Sequence, residues 1–272
     1  MATIWEEFDI SPIEIALPGN KVGITLRAYR LESELTPTDV SERDDEDDVF
    51  SARDARLPLD DEQLPEFEWT EEQLAAVAAA PAEDELAERA AESGDDETAE
   101  GDSDGDDEAG SKDAKADQEV PIFLTHKGML LLFKTPDSLV SFLKSKAPHD
   151  MKQLKNWSKF ASSLKVADVT VAEDDSYELD LVVENLRGGP DAWEPPLLLS
   201  AGEIARDLGY ALQLKKVIIA LAAGSPLDDL DEALRATGFF ARRRLKKIGT
   251  EQASISWRGI IGKISAVVDW RD

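Results

Sequence analysis

The stretch VPIFLTHKGMLLLFK (residues 120–134) sets the fold. Two apolar runs of strand length flank Lys127 and Gly128, a pair suited to a tight turn. The stretch therefore predicts a β-hairpin. TPDSLVSFLKSK follows, with Thr135 placed to cap a helix and Pro136 at its first position.

A second hairpin is predicted upstream, over residues 10–31. IEIAL alternates apolar and polar residues, PGNK supplies turn chemistry, and VGITLRAYRL places Val22, Ile24, Leu26 and Ala28 on one face. A lone two-stranded hairpin is marginal in water. The two hairpins are therefore expected to share one small antiparallel sheet, the alternative being two modules on a linker.

Between them lies a segment of different composition. Residues 32–119 hold 34 acidic and 6 basic side chains, so the whole net charge of −28 resides there and the flanks are neutral. GDDETAEGDSDGDDEAG (residues 94–110) is its extreme. Such sequence cannot bury enough apolar surface to offset chain entropy and is predicted to be a disordered insertion. The predicted organisation is an N-terminal hairpin (1–31), an acidic insertion (32–119) with one short helix near 71–80, and a main domain (120–272).

The main domain reads as mostly helical. Met151, Leu154, Trp157, Phe160, Ala161 and Leu164 form an apolar stripe. SYELDLVVENL (residues 176–186) reads as a strand. SAGE reads as a capping box, with Ser200 at the N-cap and Glu203 three residues on, opening a helix to about Ala223. SPLDDLDEALRA opens another at Ser225, and SISWRGIIGKISAVVDW closes the chain as an apolar helix. The fold class is α+β: a small antiparallel sheet of two β-hairpins plus a helical C-terminal half.

The chemistry expected is that of binding. There is no cysteine, hence no disulfide, thiolate metal site or thiol nucleophile. No Walker loop is present: GIIGKIS has the wrong spacing. His126 and His149 lack partners at ligand spacing. A calcium loop starting at Asp102 needs glycine at its sixth position and glutamate at its twelfth, and Asp107 and Asp113 stand there. No enzyme, cofactor or metal is expected. The N-terminus lacks the charge and apolar run of a leader, and no run reaches the about 18–20 residues of a membrane span. A cytoplasmic, non-membrane protein is the expectation.

Three features could bind something. Arg242, Arg243, Arg244, Lys246 and Lys247 form a dense basic run, and Lys152, Lys155 and Lys159 a second stripe. Either could meet nucleic-acid phosphates or be a solvated face. Phe67, Trp69, Leu74 and Val77, within EFEWTEEQLAAVAAAP, form a candidate docking motif for a protein partner. The acidic arm itself could solubilise, or occupy basic patches in cis.

The strand pair, the string F-K-T-P-D-S-L-V-S-F-L with Phe133, Asp137, Leu139, Val140 and Phe142, and the closing RRRLKKIG…AVVDW together resemble an actinobacterial family labelled "primosomal protein", which is similar to the N-terminal half of the mycobacterial export chaperone SatS. The likeness covers residues 10–31 and 120–272. It implies a non-enzymatic protein with a chaperone-like or adaptor role towards a protein client, while the chaperone's protective activity is expected in a further C-terminal domain. The family label implies the alternative, a replication-associated nucleic-acid-binding factor.

Overall fold

The structure is a computed structural model that describes residues 3–41, 43, 118–236 and 248–272. The described strands form one seven-stranded mixed sheet. Its centre is the upstream hairpin, β1 (Ser11–Leu17) and β2 (Lys21–Leu31), paired antiparallel from Ser11↔Arg27 to Leu17↔Lys21. Gly19 and Asn20 take the positive φ values that the PGNK turn requires.

The second hairpin joins the same sheet. β3 (Glu119–Phe123) pairs antiparallel with β2 from Arg27↔Phe123 to Leu31↔Glu119. A break at Leu124 separates β3 from the short β4 (Thr125–His126), which returns through Lys127 and Gly128, both at positive φ, into β5 (Met129–Phe133). The expected α+β class holds. The sheet is larger than two hairpins, because β6 (Ser176–Glu178) adds parallel to β1 and β7 (Val268–Arg271) adds parallel to β5.

Helices cover both faces. α1 (Ile4–Phe8), α2 (Pro136–Lys144) and α3 (Trp157–Ser163) pack on the face that carries Ile24, Leu26, Ala28, Leu131 and Phe133. α4 (Leu179–Arg187), α5 (Pro195–Ala211), α6 (Lys215–Ala220), α7 (Pro226–Arg235) and α8 (Thr250–Ala266) pack on the face that carries Ile13, Ile15, Leu17, Leu130 and Leu132. A central strand covered on both sides reads as an unbroken apolar run, which is why MLLLF shows no alternation. Among the described residues, no helix is long and apolar enough to cross a membrane.

Several elements differ from expectation. Residues 176–186 are not one strand: three residues pair with β1 and the rest form α4, burying Leu179, Val182 and Leu186 at helical spacing. Ser200 caps nothing. α5 starts five residues earlier on Pro195 and Pro196, and Ser200 Oγ donates to the Leu197 carbonyl inside it. The expected long helix breaks at Leu212, because Gln213 adopts the left-handed conformation (φ 54°), and resumes as α6. The stripe from Met151 is split between a 3-10 turn (Asp150–Gln153) and α3. The closing helix stops at Ala266, and the rest becomes β7 through its pairing with β5. The caps at Thr135 and Ser225 form as read, accepting from the Ser138 and Asp228 amides.

Candidate functional site

The sequence after β2 does not leave the fold at once. A 3-10 turn (Glu32–Glu34) leads into an extended strap that is bonded to the body at four places. The Thr36 amide donates to Gln153 Oε1 at 2.6 Å, and Gln153 Nε2 donates back to the Thr36 carbonyl at 3.1 Å. Thr38 Oγ1 donates to Asp150 Oδ2 at 2.5 Å and accepts from the Gly128 amide at 3.2 Å. Asp150 Oδ2 also accepts from Thr125 Oγ1 at 2.7 Å. Gln213 Nε2 donates to the Thr38 carbonyl at 2.9 Å.

The fourth place lies at the break after α5. A helix C-terminus leaves carbonyls without intrahelical donors and carries a partial negative charge. Arg43 supplies what is missing: its guanidinium donates to the Leu212 carbonyl at 2.7 Å and to the Gly128 carbonyl at 3.3 Å.

Between this strap, β3 and the α5–α6 break lies a groove of about 310 Å³. Leu35 and Pro37 line it from the strap, Pro121 and Phe123 from β3, and Tyr210 and Ile218 from the helices. Tyr210 and Ile218 are each 43 % exposed at its mouth, a large area for such side chains to leave in water. Its charged lining is Glu32, Asp150 and Lys215. Apolar walls with few polar groups are the usual composition of a binding cleft.

One wall is fixed by an ion cluster around the buried Arg27. Arg27 of β2 lies between the rings of Tyr29 and Tyr177, 5.4 Å from each centroid. It pairs at 3.2 Å with Asp175, with Glu203 and with Asp207, the last two on α5. Burial opposes its charge, but the tyrosines, Asp207 and Glu203 outweigh that and raise its pKa. Burial raises the Asp207 carboxyl, against the pull of the Tyr29 hydroxyl and Arg27. Burial likewise raises Tyr29, and pushes Tyr177 up to about 12. The cluster holds α5, and with it Tyr210, at a set height above the sheet.

The predicted site residues are not brought together here. Arg242, Arg243, Arg244, Lys246, Lys247, Phe67, Trp69, Leu74 and Val77 lie outside the described residues. The lysine stripe is dispersed. Lys152 Nζ donates to the Lys146 and Ala147 carbonyls, Lys155 pairs with Glu34 at 2.9 Å, and Lys159 pairs with Glu7 at 2.7 Å while lying over the Phe8 ring. Sequence reading misses the groove, since its walls come from segments far apart in the chain, from Glu32 to Ile218. The one available hint is TPTD after β2, a turn-forming run with apolar neighbours at the edge of the acidic segment. Among the described residues, no group of acidic or histidine side chains is placed to hold a metal ion.

Residues 113–265, more than half the chain, match the family model of the SatS C-terminal domain. The chain belongs to the SatS C-terminal domain family. A crystal structure described as the SatS C-terminal domain in complex with bromine has the same fold, with a TM-score of 0.56 over 98 % of this chain and 96 % of that one, at 18 % identity. No curated protein matches the chain. The match corrects the expectation of likeness to the N-terminal half of SatS: the shared domain is the C-terminal one. The anchors Phe133, Leu139 and Val140 are buried, so they report the packing of the SatS C-terminal fold and carry no information on which half of a longer chain it came from. The label "primosomal protein" finds no support in the SatS match.

Proposed function

We propose that this SatS-type domain is a non-enzymatic, cytoplasmic protein-binding module with a chaperone-like or adaptor role, and that it takes an apolar segment of a client protein in the groove beside β3. One observation carries the reading: a cleft of about 310 Å³ with apolar walls and with Tyr210 and Ile218 left open at its mouth. Family membership supports it, because the matched domain is that of SatS, the protein that the sequence resemblance gives as an export chaperone. In this reading the acidic segment keeps an apolar cleft soluble.

The nucleic-acid alternative has less to stand on. Lys155 and Lys159 are neutralised by Glu34 and Glu7, and Lys152 is turned to backbone carbonyls.

The test is suppression of aggregation of a reduced, unfolding client, followed by light scattering. The full chain is expected to slow it. Ile218→Ser and Tyr210→Ala, at half-exposed positions, are expected to weaken protection several-fold while circular dichroism shows both variants folded. Equal protection by all three chains would remove the groove from the function.

A further inference from the structure

We infer that the strap is held by an acid-released clasp: protonation of His149 frees residues 150–155, and with them the start of the strap, while the sheet stays folded. The strap is tied to one short segment at three points. Lys155 pairs with Glu34, Gln153 exchanges two hydrogen bonds with Thr36, and Asp150 accepts from the Thr38 hydroxyl. His149 stands immediately before this segment and Trp157 just after it. Their rings meet edge to face, with centroids 4.7 Å apart. That contact closes residues 150–156 into a loop, in which Met151 and Leu154 are buried.

The clasp needs a neutral ring. His149 is buried, and among the described residues no acceptor reaches either ring nitrogen. α2 and α3 meet it with the rings of Phe142 and Trp157. The charged and titratable groups that act on it are Lys152 of its own turn and His126 of β4, and both oppose a positive charge there. A protonated imidazole carries two N–H donors and a charge, which need acceptors or water. The proton is therefore taken up by the open clasp, with the ring in solvent. The closed clasp has the lower pKa, about 4 against 6.5, so it is favoured at pH 7 and loses ground as pH falls below about 6.5. Opening releases Leu35 and Pro37 from the groove wall, whereas Arg43 keeps its bonds to the Leu212 and Gly128 carbonyls. The strap is thus a wall hinged at one end.

Amide hydrogen exchange of the full chain at pH 7 and pH 5, corrected for the intrinsic rate, tests this. The Thr36 and Leu154 amides donate to Gln153 Oε1 and to the Met151 carbonyl, and their protection is expected to fall about twentyfold. In urea well below the unfolding midpoint their rates are expected to stay flat, the mark of a local opening, while amides of the β1–β2 ladder quicken. His149→Phe keeps a ring that cannot charge, and is expected to show no such fall. The chain has two histidines, so in His126→Gln the imidazole signal is that of His149, and nuclear magnetic resonance reads its titration directly. Its midpoint is expected well below 6.5, with the Thr36 amide signal moving at the same pH. A fall of equal size in His149→Phe would place the acid response in carboxylates and overturn the clasp. Thr36 and Leu154 rates that rise with urea in step with the ladder would show that the proton acts through global unfolding, and overturn it equally. A His149 midpoint at or above 6.5, the result if the Phe142 and Trp157 rings held the cation, would overturn it even where His149→Phe does not fold.

Discussion

The hydroxyl of Tyr29 donates to Asp207 Oδ2 at 2.5 Å, and the same oxygen takes the Arg27 guanidinium at 3.2 Å. One carboxylate oxygen thus ties two residues of a central strand to the helix that walls the groove. Of the two α5 carboxylates on Arg27, Asp207 is 16 % exposed and Glu203 is 55 % exposed.

That difference sets unequal costs. Asp207→Asn keeps the shape but leaves Tyr29 and Arg27 short of a charged acceptor in a desolvated place, at about 1–3 kcal/mol. Glu203→Gln, in water, is expected to cost under about 1 kcal/mol. Urea unfolding of both variants checks the order, and equal midpoints would contradict it.

A pH dependence follows from His149. It is 6 % exposed, its ring lies 4.7 Å from that of Trp157, and neither ring nitrogen has a hydrogen-bond partner. Burial, then the nearby Lys152 and His126, lower its pKa from 6.5 to about 4. The unfolded chain therefore binds the proton first as pH falls, and stability drains from about pH 6.5 down towards 4, by about 1–2 kcal/mol at pH 5. Thermal melts at pH 7 and pH 5 should show a larger loss in the parent than in His149→Phe. Asp207 titrates alike in both chains, so the difference between them isolates His149.

Gly23 is predicted to resist any side chain. A Cβ there would stand 2.8 Å from Trp270 Cζ3 and 2.9 Å from Leu132 Cβ. Gly23→Ala is expected to destabilise by about 1–3 kcal/mol, the overpacking outweighing the gain in strand propensity. Pairing it with Trp270→Leu should recover part of the loss, measured by denaturant midpoint. A Gly23→Ala variant as stable as the parent would show that β7 can move away freely.

The strap has its own test. Thr38→Val removes the hydroxyl that joins Asp150 to the Gly128 amide. Hydrogen exchange at Gly128 and Ser41 is expected to quicken, with about 1 kcal/mol or more lost locally. Unchanged exchange at Gly128 would mean that the strap is held elsewhere.

Residues 120–272 expressed alone are expected not to fold cooperatively. β2 pairs with β3 and β5, and β1 pairs with β6, so the fragment keeps strands whose central partners are gone. A sharp calorimetric transition from that fragment would refute the shared sheet.

Much of the fold can be read from local pattern. The PGNK turn, the Thr135 and Ser225 caps and the apolar run in β5 are decided by residues a few positions apart. The misreadings are places where distant partners decide. Val268 and Trp270 are strand residues because Leu130 and Leu132 lie beside them, and Glu203 is drawn to Arg27 rather than to a helix cap. In residues 176–186 the helical spacing of Leu179, Val182 and Leu186 is visible, but the alternation of Tyr177 with Leu179 points to a strand. The groove is not legible, because Leu35, Phe123, Tyr210 and Ile218 meet only after the sheet has formed.

The closing of the β2–β3 ladder at Glu32 and Gln118 bears on how this chain can change over generations. Topologically, β2 and β3 are neighbours in a hairpin whose loop spans residues 33–117. Closing a longer loop costs entropy only logarithmically, about 0.6 kcal/mol for each doubling. A change in the number of residues between Glu32 and Gln118 therefore costs the closure of this ladder little, so the length of the connection can drift between related chains while the sheet stays the same.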